Sequence, residues 1–121
     1  MQKYIGLFGT TQGATIKNLS VTNDNITGKQ WVGSLVGLTY STTIDNCSAS
    51  GSVVSTKPYL VGGLVGYSYT GSSIRNSYST ASVIDGGSGQ TGGLVGFFNR
   101  YTMQNSYSTG SVTSTSSNRG G

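Results

Sequence analysis

This sequence predicts an all-β chain folded as a parallel β-solenoid of about four coils, on three observations. A Leu-x-Gly core ends at Gly9, Gly37, Gly66 and Gly96, so the steps are 28, 29 and 30 residues. The residues around each core fall into matching columns, and no window of ten or more residues shows the i, i+3, i+4, i+7 apolar spacing that a helical repeat needs. A near-constant period of this size marks units that cannot bury their apolar faces alone and must stack on one another.

The strands follow from the columns. Leu7, Leu35, Leu64 and Leu94 form one, and Phe8, Val36, Val65 and Val95 the next. Further on come Ile16, Ile44, Ile74 and Met103, then Asn18, Asn46, Asn76 and Asn105. Short β-branched runs punctuated by Gly, Ser and Asn describe strands and turns. A coil of 28–30 residues with about three such strands, each about 4.8 Å above its counterpart, is a parallel solenoid. Its expected hand is right, as for nearly all parallel crossovers. The chain then divides as one domain, 1–121, with repeats at about 5–31, 32–60, 61–90 and 91–113 and a Ser/Gly-rich tail at 114–121.

The asparagine column marks a corner. Ile74 alternates with Arg75 before it, which gives Ile and Asn the same inward parity, and beyond it the parity flips. Small residues then occupy the inward offsets (Leu19/Cys47/Ser77/Ser106, Val21/Ala49/Ser79/Ser108, Asn23/Gly51/Ala81/Gly110). The expected role of Asn18, Asn46, Asn76 and Asn105 is a structural ladder, each amide donating to a carbonyl of the next coil and satisfying polar atoms the turn leaves over. Three sequons, beginning at Asn18, Asn25 and Asn46, otherwise suggest glycans. For Asn18 and Asn46 the ladder is preferred.

Glycine and charge obey the same stacking. A side chain at the core glycine would recur in every coil, so a clash there would recur too. Like charges about 4.8 Å apart repel by roughly 0.9 kcal/mol even in water, and the column Lys17, Asp45, Arg75, Gln104 alternates in sign before going neutral.

Composition agrees. Of 121 residues 20 are Gly and 36 are Ser or Thr, with charged residues at 8% and one Pro. Disorder goes with high charge and few aromatics, whereas eight tyrosines and regular Val, Ile and Leu argue for a folded chain. No segment approaches the roughly 20 apolar residues of a membrane span. Residues 5–9 already belong to the first repeat and the opening residues lack the hydrophobic run of a signal peptide, so the expectation is either a chain that starts at Met1 or a mature segment cut from a longer, exported one, in both cases without membrane insertion. Cys47 has no partner for an internal disulfide.

The pattern G-G-L-V-G, an Ile before Asn-Ser-Tyr or Asn-Cys-Ser, and a closing Gly-Ser-Val resembles the GLUG repeat of bacterial exported proteins, similar to repeats found beside IgA-specific metallopeptidases and in large adhesin-like surface proteins. It covers residues 5–113, most closely in the third and fourth copies; the first departs, with Ile5-Gly6-Leu7-Phe8-Gly9 and "VTNDNI". The resemblance implies an extracellular or cell-surface, non-catalytic, bacterial repeat module whose motif residues are scaffold.

Catalysis is not expected. With no His or Glu, three Asp and one Cys, His-based triads, the usual zinc ligand sets and the H-E-x-x-H helix are excluded. Asp24, Asp45 and Asp85 occupy different offsets, the first and last in loop-like stretches. Gly87-Ser-Gly-Gln-Thr-Gly92 fits G-x-G-x-x-G but precedes a strand, and "DGGSG" at Asp85 lacks the nonapeptide period of a calcium β-roll. No metal, no cofactor and no catalytic residue is expected. The net charge of +4 comes from scattered Lys and Arg, so nucleic acid is not an expected partner.

What remains is a contact face and two ends. Tyr78 and Tyr107 share an outward column beside Thr22, Ser50, Thr80 and Thr109. Such a strip serves surface glycans, host proteins or a second solenoid, or simply fills a soluble β face. The first apolar strand begins at Tyr4-Ile5 and the last coil closes at Val112 with no polar cap. Open edges recruit other edges, so the expected partners are the chain itself, head to tail, or further repeats. The joint would set Phe8 and Trp31 against Phe97 and Met103.

Overall fold

The computed structural model describes residues 4–57, 60–86, 89–99 and 102–114. The tail at 115–121 and residues 87–88 of the G-x-G-x-x-G stretch lie outside the described residues. Coil one holds β1 (Tyr4–Ile5), β2 (Phe8–Gln12), β3 (Thr15–Lys17) and β4 (Ser20–Gly28). Coil two repeats these as β5 (Trp31–Val32), β6 (Val36–Tyr40), β7 (Thr43–Asp45) and β8 (Ser48–Ser55). Coil three has β9 (Leu60–Gly62), β10 (Val65–Ser68), β11 (Ser73–Arg75), β12 (Tyr78–Ser79) and β13 (Ser82–Asp85). Coil four has β14 (Gln90–Gly92), β15 (Val95–Phe98), β16 (Thr102–Gln104), β17 (Tyr107–Ser108) and β18 (Val112–Ser114).

Each strand pairs in parallel with its counterpart one coil away, giving four sheets that run the height of the stack: β1-β5-β9-β14, β2-β6-β10-β15, β3-β7-β11-β16, and one uniting β4, β8, β12, β13, β17 and β18. The chain is therefore an all-β solenoid of about four turns, without helix among the described residues.

A coil has four strand positions rather than three. The V-G-G-L-V-G run bends at its Gly-Leu step and contributes to two sheets. In coils three and four the fourth position also breaks, and in coil three the Ala81 amide donates at the break to Ser79 Oγ, two residues back, at 3.2 Å. Short Ser loops of this kind compete with ladder hydrogen bonds.

Coil one departs from the columns at two places. Tyr4 and Ile5 pair with residues 27 positions on, while Phe8 pairs with Val36, 28 on. The bend of coil one is therefore one residue shorter, and Leu7 leaves the leucine column: it is 56% exposed, while Leu35 and Leu64 are fully buried. The second departure is a bulge in β4, where the register shifts between Val21 and Asp24. Gly51 pairs with Asp24, not Asn23, and Asn23 takes a left-handed φ of 52° with its amide on Ser50 Oγ at 3.1 Å. Two residues facing one is how a strand absorbs an insertion.

The interior has two apolar compartments. Ile16, Leu35, Val36, Ile44, Leu64, Val65, Ile74, Leu94 and Val95 fill the larger, with Cys47 and Ala49. Val32, Val53, Val61, Ala81 and Val83 fill the smaller. Each fully buried Leu, Ile or Val contributes about 1.5–3 kcal/mol.

The first and second sheets meet backbone to backbone at the core glycines. A Cβ on Gly66 would lie 2.7 Å from both the Gly37 carbonyl oxygen and the Val32 nitrogen, and one on Gly96 would lie 2.6 Å from Gly66 O and 2.7 Å from Val61 N. Real Cβ atoms do not approach that closely, and a hydrogen-bonded backbone cannot step aside cheaply. Gly66→Ala should therefore lower stability by about 3 kcal/mol, at the upper end for overpacking. Gly13→Ala, at φ +64° in open space, should cost about 1–2 kcal/mol, from its left-handed backbone alone. Urea-unfolding midpoints of the two variants check the order.

Candidate functional site

The outward corner between the third and fourth sheets gathers most of the residues singled out by sequence. Asn18, Asn46, Asn76 and Asn105 stand there in one column with φ of 57°, 54°, 51° and 48°. Asparagine tolerates this left-handed conformation better than other non-glycine residues, which is a backbone reason for the column. It also reverses the expected direction of the side chains. Ile44 and Ile74 are buried, but all four asparagines are exposed, because the positive φ flips the parity at the asparagine and not after it.

The amides interact with one another rather than with backbone carbonyls. Asn46 Nδ2 donates to Asn18 Oδ1 at 2.8 Å, and Asn105 Nδ2 donates to Asn76 Oδ1 at 3.4 Å. Between these pairs the ladder is diverted, since Asn76 Nδ2 donates to Asp45 Oδ1 at 3.0 Å. Asp45 is also the partner of Arg75, whose Nε lies 3.4 Å from Oδ2, so the alternating charge column forms one lateral pair. Both side chains are partly solvated, and such a pair adds little to stability.

The polar atoms of the turn are satisfied by the next residue along, a role the sequence reading gave to the asparagine. Ser77 Oγ donates to Arg75 O at 2.8 Å and accepts from Cys47 N at 3.1 Å. Ser106 repeats this, donating to Gln104 O at 2.8 Å and accepting from Ser77 N at 3.3 Å. Cys47 holds the same place in coil two, its thiol donating to Asp45 O at 3.4 Å and Ile16 O at 3.5 Å. The signal was present as the Asn-Ser and Asn-Cys dipeptides.

On the outward face Tyr78 and Tyr107 stack with ring centroids 5.2 Å apart and planes 6° from parallel. Thr22, Thr80 and Thr109 are exposed and Ser50 is half-buried. The bulge takes Thr22 out of the regular column. In the two coils below the tyrosines the column holds Ser48 and Ser20, with Ser48 Oγ donating to Ser20 Oγ at 2.8 Å. The step from serine to tyrosine leaves an open recess of about 240 Å³.

Among the proposed joint residues, Phe8 lies in coil one and is 39% exposed, while Met103 in coil four packs at the edge of the larger core. Phe97, also in coil four, leans on Tyr67 with centroids 5.2 Å apart. Trp31 is not at an end. It lies in coil two, between Tyr4 and Leu60, stacked on the Tyr4 ring at 4.7 Å. Leu7 is an exposed apolar residue that sequence columns hid, and Ile84 is another that the sequence did not mark. A second aromatic group, missed because its members sit at different offsets, joins Tyr40, Tyr69 and Tyr67 at 4.8 and 5.4 Å.

Asp85 is not in a loop but ends β13, buried, with Thr91 Oγ1 donating to it at 3.1 Å. Asp24 falls within β4. Among the described residues no three His, Cys, Asp or Glu side chains gather as a metal site, and no helix is long and apolar enough to cross a membrane.

Two family-model matches to the GLUG motif fall on residues 32–54 and 58–84, in the two middle coils. A comparison with curated proteins found no match, and neither did one with solved structures.

If left-handed backbone is what the column needs, Asn46→Gly should stay within about 0.5 kcal/mol of the native chain, while Asn46→Ala should cost about 1–2 kcal/mol. Thermal unfolding of the two variants makes the comparison. Cys47 gives a separate test. It is 1% exposed and burial pushes its thiol pKa up, which leaves little of the reactive thiolate near neutral pH. A thiol reagent should label the native protein slowly and the urea-unfolded chain fast; equal rates would contradict the burial.

Proposed function

We propose that this GLUG-repeat chain is a non-enzymatic structural module of a bacterial surface stalk, adhesin or fibre, extracellular, and joined end to end with itself or with further repeats of a longer chain. The observation that carries this reading is the edge geometry. Among the described residues the strands of coil one pair on one side alone, as do those of coil four. Each edge therefore offers a set of unpaired N–H and C=O groups in register, the kind of template that recruits another chain.

The register of the four coils supports continuation. Extending the columns by one more coil brings Lys17 beside Gln104, Asn18 beside Asn105 and Ile16 beside Met103, with no like charges opposed. Phe8 would meet Val95, and the exposed Leu7 would be covered. Such a contact is heterologous and does not close on itself, so it builds a filament. Placement outside the cell rests on the likeness to exported repeat proteins. The absence of His and Glu from the chain and the use of its Ser and Asn side chains in coil-to-coil contacts support a scaffold over an enzyme.

A second reading gives the module a contact face for surface glycans or host proteins. It is favoured by the exposed, parallel Tyr78–Tyr107 stack, since a solvated face needs no ordered aromatic pair.

Light scattering over a range of concentrations tests the end-to-end reading. Mass should grow with concentration, and Leu7→Lys, which puts a charge on the edge, should hold the protein as a monomer. A native chain that stays monomeric at high concentration would show that the ends are not joints.

A further inference from the structure

The tyrosine stack and the asparagine ladder break at the same level, between coils two and three. One face of the Tyr78 ring lies against Tyr107. Its counterpart one coil down is Ser48 and then Ser20, so the opposite face borders the recess of about 240 Å³, which Asn18, Ser20, Asn46, Cys47 and Ser48 complete. The amide of Asn76, which in register would donate to Asn46, has turned to Asp45. None of the described residues donates to Asn46 Oδ1. Asn18 Oδ1 is taken by Asn46, which leaves the Asn18 amide protons to other acceptors. Ser20 Oγ accepts from Ser48 and keeps its own proton to give.

We propose that this recess is a subsite for one neutral pyranose ring, held as a third layer of the stack on the uncovered face of Tyr78. The slot left by a missing tyrosine is one coil repeat high, about 4.8 Å, which is the spacing of a ring lying flat on another. A pyranose has an apolar C–H face for the tyrosine and hydroxyls around its rim. The rim groups match: Asn46 Oδ1 accepts, and Asn18 Nδ2 and the Ser20 hydroxyl donate. No charged side chain lines the recess, so an anionic sugar gains nothing there. The volume falls below the roughly 300–1,000 Å³ of drug-sized pockets, which suits one ring and not an oligosaccharide. An aromatic side chain of a partner protein would fill the slot but, with at most one polar group of its own, leave at least one of the three rim groups without a partner.

The inference rests on the contact-face reading and is independent of end-to-end stacking. The test is an NMR titration of the whole chain with the methyl glycosides of glucose, galactose, mannose and N-acetylglucosamine, and separately with para-cresol as a free tyrosine ring. At least one glycoside should shift the Asn18 and Asn46 side-chain amides saturably, with a Kd in the millimolar range. Tyr78→Ala should weaken it about tenfold, through loss of one stacked ring. Ser48→Tyr, which supplies the missing ring, should abolish binding while circular dichroism stays native. Ser20→Tyr narrows the slot from an exposed position one coil lower and should also weaken binding, should the first variant fail to fold. Saturable binding of cresol alone would assign the slot to an aromatic side chain and overturn the sugar. Glycoside binding unchanged by Tyr78→Ala and Ser48→Tyr would overturn the recess, and so would no binding. The glycan part of the contact-face reading fails separately, if a glycan array shows no saccharide bound at all.

Discussion

Backbone hydrogen bonding from each coil to the next, in parallel and in register, is the constraint on which this structure depends. It holds equivalent residues about 4.8 Å apart, so any choice made in one coil meets the same choice in its neighbour. An apolar side chain stacked this way builds a continuous core, as Ile16, Ile44 and Ile74 do. A like charge repeated in the same place would repel, and the register that sets Asp45 between Lys17 on one side and Arg75 on the other avoids that.

The corners are where stacking and chain direction conflict, and two devices resolve them. At one, asparagine accepts a left-handed φ in every coil, and in coils two to four the cysteine or serine after it closes the hydrogen bonds the turn opens. Backbone amides keep pairing straight through this corner, from Asn18 N to Asp45 O and from Asn46 N to Arg75 O, each at 3.1 Å. At the other, two sheets cross so tightly that glycine is the one residue that fits. Length differences between coils are taken up outside the paired columns, as at the shortened bend of coil one, or in a bulge, as in β4. The paired segments thereby stay in register.

A fold of this kind leaves little room for individual chemistry, because residues that recur are bound to structural duties. Individuality enters where one coil differs from the next on an outward column. Ser20 and Ser48 against Tyr78 and Tyr107 is the clearest case: two small residues under two large ones turn a uniform wall into a ledge. The aromatic group of Tyr40, Tyr67 and Tyr69 is another, built on a different sheet.

The period, the parallel stacking, the apolar columns and the glycine positions could be read from sequence alone, because in-register stacking writes a spatial relation as a repeated spacing. The inward place of Cys47, in line with Ala49, was legible for the same reason. Three things were not. Whether Leu7 joins the leucine column depends on a bend one residue shorter, and a column count cannot see a deletion that later residues restore. The direction of the asparagine side chains depends on the sign of φ, which identity suggests but does not state. The position of Trp31 inside the stack, and the recess beneath Tyr78, depend on which residues of different coils end up face to face. Those are matters of register and side-chain volume between coils, and they exist only once the chain has wound.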